Sequence, residues 1–213
     1  MASCQPVQRF TIKKVRLKMR KPHKKIKQAA LGQVRVIGGE WRGRKLPVVE
    51  AEGLRPTPDR VRETLFNWLQ FSIPGKTCLD AFAGSGALAV EALSRGAKQV
   101  TAIERDIKVT KQLGGLLLPL AGERLTLVNA DALNWLEQQP AQPFEIIFLD
   151  PPYGLPLLEP VCHLLEAKGW LAEGALIYVE QAKHQAGLIH LPANWRLQKD
   201  KQVSDVHFSL YTR

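Results

Sequence analysis

Apolar residues follow two alternating patterns along the chain from residue 77 onward. Short, almost continuous apolar runs are typical of strands buried on both faces, and they alternate with segments whose apolar residues recur every three or four positions, as in helices. The runs predict strands at 77–82, 99–104, 124–129, 144–149 and 175–179, with a closing antiparallel pair at 195–199 and 206–212. The segments between them predict helices at 86–95, 107–118, 132–138 and 157–168, the second weakened by Gly114-Gly115 and ended near Pro119.

Strands and helices that alternate through short connections favour one parallel sheet covered by helices on both faces. We therefore predict an α/β, Rossmann-like fold with a seven-stranded, mostly parallel sheet. Ligands of such sheets bind beyond the carboxyl ends of the strands, where the strand order reverses. The last residue of each strand is thus a candidate for chemistry.

The residues ahead of the sheet predict a hairpin and a helix. In the segment 33–48, apolar and polar residues alternate on both sides of a glycine-rich turn, which indicates a short β-hairpin. In the segment 53–69, apolar residues recur on one helical face. Thr57 is the expected N-cap of this helix, Pro58 its first residue and Asp59 an acid in its first turn.

The charge of the chain is concentrated at its start. Residues 1–31 hold ten of the 30 lysines and arginines and none of the 20 acids, so the rest of the chain is neutral although the formal net charge is +10. Such a block predicts a disordered arm suited to a polyanion, with a solvated tail or a transit peptide as alternatives. We expect three regions: the arm at 1–31, a hairpin extension at 32–52 and the main domain at 53–213.

The hairpin segment is also basic, and it has an aromatic residue among its bases. Bases interleaved with an aromatic residue suit phosphate contact with base stacking, and the alternative is an edge hairpin protected by charge. The residues expected to contact nucleic acid are Arg35, Trp41, Arg42, Arg44, Lys45 and Arg55.

Length and composition limit the class of protein. The 213 residues can bury one sizeable core, and their three cysteines have no paired spacing. The chain shows neither an apolar run of membrane-spanning length nor the apolar region of a secretory signal. We expect a cytoplasmic, monomeric enzyme without a metal site.

The ends of the first three predicted strands suggest a nucleotide cofactor. Gly84-Ser85-Gly86 opens a helix after a strand, so the backbone can approach a ligand closely. Glu104 ends the next strand and can accept hydrogen bonds from ribose hydroxyls. Asp131 follows the third strand and suits either an adenine amine or a helix cap. Together these residues point to a cofactor that contains adenosine.

The fourth strand ends in Asp150-Pro151-Pro152-Tyr153, which favours methyl transfer to an amine over hydride transfer, since no histidine follows the first four strands. The amine of a nucleobase is a poor nucleophile because its lone pair is delocalised. The Asp150 side chain and the Pro151 carbonyl can accept its two N–H groups and orient it. Proline has no N–H to compete, and Tyr153 offers a face on which a flipped base stacks.

Five segments together resemble one family. "RVIGGEWRGRKLP", "GLRPTPDRVRETLFNWL", "CLDAFAGSGALAVEALSRGA", "FLDPPYG" and "GWLAEGALIYVE" are similar to segments of the RsmD-type bacterial 16S ribosomal RNA guanine-N2 methyltransferases. The resemblance implies a class I methyltransferase fold, S-adenosylmethionine as methyl donor, and N2 of guanine 966 in 16S rRNA of the small subunit, or of its assembly intermediate, as acceptor. It places the cofactor against Asp80, Gly84, Gly86 and Glu104, and the guanine against Asp150, Pro151, Pro152 and Tyr153. Further candidates for the cofactor site, from their places beside these residues or at a strand end, are Phe82, Ser85, Asp131 and Ala132.

Other classes of function stay open from the residues. An enzyme with a similar site could methylate DNA adenine or a protein glutamine amide. The fold could also serve a non-catalytic RNA-binding assembly factor or a nicotinamide enzyme. The intact Asp150–Tyr153 motif beside an intact glycine loop argues against the assembly factor, and the basic hairpin favours RNA over a protein amide.

If the arm contacts RNA, its removal will change the salt dependence of binding. Deleting residues 1–31 should flatten the slope of log affinity against log salt concentration by about 0.7 for each phosphate that the arm neutralises. Filter-binding or fluorescence titrations at several salt concentrations measure this slope. An unchanged slope would mean that the arm does not touch the RNA.

Overall fold

Nine strands are present in the computed structural model, which describes residues 32–47 and 58–213. The first two, β1 (Gln33–Arg35) and β2 (Lys45–Pro47), pair as an antiparallel hairpin. The other seven form a single sheet. They are β3 (Thr77–Asp80), β4 (Gln99–Glu104), β5 (Leu125–Asn129), β6 (Phe144–Leu149), β7 (Leu171–Ala182), β8 (Arg196–Val203) and β9 (Val206–Thr212).

The order of strands across the sheet is β5-β4-β3-β6-β7-β9-β8. All neighbouring pairs are parallel except the two that involve β9, so the prediction of a seven-stranded, mostly parallel sheet is confirmed. The chain builds outward from β3 through β4 to β5 and then returns to place β6 on the other side of β3. The order therefore reverses between β3 and β6, and a crevice forms beyond the carboxyl ends of these strands.

Helices cover both faces of the sheet. They are α1 (Asp59–Trp68), α2 (Ala87–Ser94), α3 (Ile107–Ala121), α4 (Ala132–Gln138) and α5 (Leu158–Ala167). The first three bury their apolar sides in one core, and α4 and α5 bury theirs in a second core on the opposite face. Within the described part of the chain, none of these helices is long and apolar enough to cross a bilayer.

Strand β6 shows why the central strands are apolar throughout. Ile146 and Phe148 point into the core beside α1 to α3, whereas Ile147 and Leu149 point into the core beside α4 and α5. Successive side chains of a strand face opposite sides, so a strand covered on both faces needs apolar residues at every position.

Three elements extend beyond their predicted bounds, and β3 ends at Asp80 rather than at residue 82. Helix α3 does not end near Pro119 but continues to Ala121, because its buried residues Leu113 and Leu117 hold it against the sheet despite the proline. Strand β7 spans Leu171–Ala182 rather than 175–179, since β9 pairs with it as far as Ala182. The end of β8 lies at Val203 rather than at 199 for the same reason.

The start of α1 is shifted by one residue. Pro58 occupies the N-cap position of this helix instead of its first helical position. The predicted cap Thr57 lies outside the described residues, as do Arg55, the predicted arm and the segment that joins β2 to α1. The boundaries at 31 and 52 therefore stay predictions.

A buried carboxylate anchors the hairpin to α2. Glu91 accepts hydrogen bonds from the backbone N–H groups of Ile37 and Gly38, each at 2.8 Å. One turn further along α2, the Ser94 hydroxyl accepts from the Trp41 N–H at 2.9 Å and donates to the Gly38 carbonyl at 2.6 Å. The hairpin and the sheet thus belong to one compact unit, Leu31–Arg213.

The approach of the hairpin to α2 requires glycine at position 39. Gly39 has a φ of +77°, and a Cβ atom there would lie 1.9 Å from the Ser94 carbonyl oxygen. Gly43 has a similar φ of +82° but nothing within 4 Å of such a Cβ atom. The two glycines therefore share one backbone requirement and differ in the space around them.

This difference predicts the effect of two matched substitutions on stability. Gly43→Ala should lower the free energy of unfolding by about 1–2 kcal/mol, the usual penalty of a left-handed conformation. Gly39→Ala should lower it by about a further 1–3 kcal/mol because the hairpin must also move away from α2. Urea denaturation of both variants measures the difference, and equal losses would show that the close approach costs nothing.

Candidate active site

A cavity of about 350 Å³ lies at the carboxyl ends of the central strands, where the strand order reverses. Its walls come from the segments that follow β3, β4, β5 and β6, together with Glu180 on β7 and Pro58 at the start of α1. The volume is within the range of small-molecule sites in proteins.

The glycine loop after β3 forms one wall of this cavity. Phe82, Gly84 and Ser85 line it, and Gly84 has a φ of +50°. Gly86 is instead the N-cap of α2, and a Cβ atom there would lie 2.8 Å from the Leu113 side chain of α3. The first glycine therefore shapes the cavity, whereas the second allows two helices to pack.

Glu104 is held at the cavity wall by two backbone groups. Its Oε2 atom accepts from the Gly84 N–H at 2.9 Å, and its Oε1 atom accepts from the Asp106 N–H at 2.7 Å. A carboxylate oxygen has more than one acceptor site, so both oxygens can also accept from ligand hydroxyls. The structure thus fixes the predicted ribose acceptor before any ligand arrives.

Asp80 lies behind the glycine loop rather than in the cavity wall. The residue is 1% exposed, and neither carboxylate oxygen makes a hydrogen bond of ordinary geometry within the described residues. Burial raises its pKa to about 7, although the nearby N–H groups of Phe82 and Ala89 act in the opposite direction. Asp80 does not line the cavity, and its contact with a cofactor stays a prediction.

Asp131 and Ala132 line the cavity at the start of α4. Asp131 is the N-cap of this helix, and its Oδ1 atom accepts from the Asn134 N–H at 3.0 Å. Of the two roles open from the sequence, the helix cap is present in the structure. Contact with an adenine amine stays a prediction.

Asp150, Pro151, Pro152 and Tyr153 all line the same cavity as the glycine loop. Tyr153 is 40% exposed, and its hydroxyl donates to the Glu180 Oε1 atom at 3.0 Å. The side chain is thus partly exposed while its hydroxyl is held. The structure therefore places the predicted amine-binding and cofactor-binding segments around a single space.

Glu180 is a cavity residue that the sequence prediction does not include. It is 2% exposed, and its Oε2 atom accepts from the Tyr178 hydroxyl at 2.6 Å. Burial raises the pKa of Glu180, and the two tyrosine hydroxyls partly offset this shift. The available signal is an acid at the carboxyl end of the predicted strand 175–179, because acids at the carboxyl ends of earlier strands make Glu104 and Asp150 candidates.

The chain matches one family model and is similar to several known proteins. The model of the family described as "Conserved hypothetical protein 95" matches residues 34–212. The chain is 51% identical over 190 residues to "Ribosomal RNA small subunit methyltransferase D" of Escherichia coli K12, covering 89% of this chain and 95% of that protein. The protein of the same name from Haemophilus influenzae is 49% identical over 185 residues, covering 85% of this chain and 95% of its own length.

The chain belongs to the RsmD family of methyltransferases. A candidate methyltransferase of known structure, yhhF from Escherichia coli, superimposes with a TM-score of 0.79 at 50% identity and covers 85% of this chain and 98% of that one. The predicted class I methyltransferase fold is thereby confirmed.

Four basic residues of the RsmD-family hairpin are exposed, as the prediction of RNA contact requires. They are Arg35, Arg42, Arg44 and Lys45. The hairpin runs along α2: Val34 contacts Ala87 at the start of this helix, and Trp41 bonds Ser94 at its end. Because Ala87 also lines the cavity, Arg42 in the turn lies farther from the cavity than Arg35 does.

The prediction that Trp41 stacks on a nucleobase is wrong. The side chain is 8% exposed and forms part of the core between the hairpin and α2. The guanidinium carbon of Arg124 lies 5.2 Å from its ring centroid and covers it. An aromatic residue between basic neighbours is typical of a stacking platform, but this one faces inward because the hairpin needs an apolar side.

The buried Asp80 predicts a pH dependence of stability. The native state keeps a proton on Asp80 up to about pH 7, whereas the unfolded chain loses it near pH 3.8. The free energy of unfolding therefore falls as pH rises between these values and stays low above pH 7. Between pH 5 and pH 8 this loss is on the order of 3 kcal/mol.

Asp80→Asn should remove this loss, so the variant gains stability relative to the unchanged protein as pH rises from 5 to 8. Urea denaturation at both pH values, without cofactor, measures the gain. Glu123→Gln is the control because Glu123 is exposed and precedes β5, whereas the cavity lies beyond the other end of that strand. If Asp80→Asn and Glu123→Gln show the same change in the free energy of unfolding between pH 5 and pH 8, Asp80 is ionised in the native protein.

Proposed function

We propose that this protein transfers a methyl group from S-adenosylmethionine to the exocyclic N2 of a guanine in 16S rRNA. The observation that carries the proposal is that the glycine loop and the Asp150–Tyr153 segment line one cavity. The names of its relatives support small-subunit rRNA as the substrate. The family resemblance of the sequence adds guanine 966 as the position.

The cavity wall suits an adenosine-containing donor. Gly84 and Ser85 lie beside the first turn of α2, where backbone N–H groups are not used within the helix. Glu104 would hold the ribose hydroxyls, and Asp131 and Ala132 lie where the base would be bound. When bound, S-adenosylmethionine supplies an electrophilic methyl group.

The opposite wall suits an amine acceptor. The Asp150 side chain and the Pro151 carbonyl would accept the two N–H groups of guanine N2 and hold its lone pair out of conjugation with the ring. No proton has to leave before transfer, so Asp150 acts as an orienting acceptor rather than as a strong base. The accessible ring of Tyr153 would stack on the flipped guanine, an interaction worth about 1–3 kcal/mol.

The exposed hairpin bases extend the site toward a larger polyanion. Arg35 and Lys45 are direct partners in the hairpin ladder, so their side chains project near each other. With Arg42 and Arg44, they form a basic strip along α2 that leads away from the cavity. We propose that this strip contacts phosphates of 16S rRNA in the small subunit or in an assembly intermediate, with the enzyme acting as a cytoplasmic monomer.

Identification of the methylated nucleoside tests the function. The protein is incubated with labelled S-adenosylmethionine and either small subunits or naked 16S rRNA from a strain that lacks the corresponding enzyme. The RNA is then digested to nucleosides and separated. Label in N2-methylguanosine is expected, whereas label in DNA, in protein or in another nucleoside would overturn the proposal.

Asp150→Ala should separate catalysis from cofactor binding. The variant loses an acceptor for the reacting amine, so kcat should fall by about 10²- to 10³-fold while the Kd of S-adenosylmethionine changes little. Single-turnover rates and calorimetry give the two quantities. Glu123→Gln is again the control and should retain full turnover. An undiminished rate in Asp150→Ala would rule out the orienting role.

A further inference from the structure

The Glu180 carboxylate, which lines the cavity, accepts a hydrogen bond from a tyrosine hydroxyl on each of its two oxygens. Glu180 Oε1 accepts from Tyr153 at 3.0 Å, and Glu180 Oε2 accepts from Tyr178 at 2.6 Å. These contacts connect the accessible residue Tyr153 to the fully buried residue Tyr178. A chain of three side chains therefore runs from the core to the cavity.

The sheet places this chain beside the reacting groups. Strands β6 and β7 are parallel, with Phe148 paired to Tyr178 and Leu149 paired to Val179. One residue further along each strand lie Asp150 and Glu180, and both line the cavity. The carboxylate is thus fixed by the rigid centre of the sheet, not by a loop.

Tyr153, in contrast, has no strand or helix to fix it. It follows β6 and precedes α5, so its backbone belongs to neither element. An exposed ring in a turn samples several orientations unless a contact restrains it. The hydroxyl bond to Glu180 supplies such a restraint at the tip of the ring.

We infer that Glu180 is a positioning residue for methyl transfer, which holds the Tyr153 ring in the orientation required for stacking on the acceptor base. Tyr178 orients Glu180 in turn. The inference rests on the proposed function, because it gives Tyr153 the stacking role. In this scheme Glu180 acts on the acceptor base only through Tyr153, whose hydroxyl it holds.

Burial of the carboxylate favours this role over a packing role. The preceding residues of β7 include the buried apolar residues Ile177 and Val179. An apolar side chain at position 180 would likewise fill the space, and it would do so without a desolvation cost. Hydrogen bonds offset the desolvation of the Glu180 carboxylate, and one of its two donors, Tyr153, belongs to the site.

Five variants test the inference: Tyr153→Phe, Glu180→Met, the double variant, Glu180→Gln and Tyr178→Phe. Tyr153→Phe keeps the ring and removes only the hydroxyl, and Glu180→Met removes both acceptors at similar length. Each should lower kcat about tenfold, equivalent to about 1.4 kcal/mol, with an unchanged Kd for S-adenosylmethionine. The double variant should be no slower than either single one, because both changes remove the same hydrogen bond.

The conservative and control variants separate positioning from stability. Glu180→Gln keeps an acceptor for Tyr153 and should retain most of the turnover. Tyr178→Phe removes the buried bond and keeps the contact with Tyr153, so it should lower the thermal unfolding midpoint more than Tyr153→Phe does while lowering kcat less.

Additive losses in the double variant, or full turnover in Tyr153→Phe, would overturn the inference. Tyr153→Phe keeps it testable even if Glu180→Met does not fold, since Tyr153 is exposed. Failure of the proposed function would appear differently, as an absence of N2-methylguanosine with the unchanged protein.

Discussion

The parallel pairing of β3 with β6 is the interaction on which the site depends. These strands are distant in sequence, yet Leu79 pairs with Ile147 and Asp80 with Phe148, and the Ala81 N–H continues the pairing by donating to the Phe148 carbonyl at 3.2 Å. The glycine loop and the Asp150–Tyr153 segment leave the sheet from these two neighbours. Because both strands are covered by helices on both faces, their ends cannot move independently. The relative position of the glycine loop and the Asp150–Tyr153 segment is therefore set by two buried strands at the centre of the sheet.

Buried carboxylates connect the core to the functional surfaces. Glu91 uses its oxygens on the hairpin backbone, and Glu180 uses its oxygens on two tyrosines. Asp80 lies beneath the glycine loop without a hydrogen bond of ordinary geometry within the described residues, which is why burial dominates its pKa. Each would be costly in an apolar core. Glu91 and Glu180 each lie where a rigid element fixes a segment without regular secondary structure, and a directional hydrogen bond achieves this better than apolar contact.

The hairpin shows how a surface feature acquires a defined direction. Its apolar residues Val36, Trp41 and Leu46 join the main core, so the exposed arginines and lysine project from a fixed platform. The close approach at Gly39 and the contacts with Glu91 and Ser94 leave one way for the hairpin to lie on α2. The exposed bases therefore have a fixed position relative to α2 and to the cavity edge at its start.

Local pattern was sufficient for the elements and for the chemistry at the strand ends. The apolar runs of β4 and β6 and the helix α4 were predicted with their observed bounds, because period and turn residues are encoded within each segment. The Asp150–Tyr153 motif was likewise recognisable, because its four residues are contiguous and directly follow an apolar run. Burial, in contrast, depends on partners far along the chain. Four features arise from packing between segments, and only the tertiary structure decided them. They are the burial of Trp41, the position of Asp80 behind the glycine loop, the continuation of α3 past Pro119 and the contact of Glu180 with Tyr153.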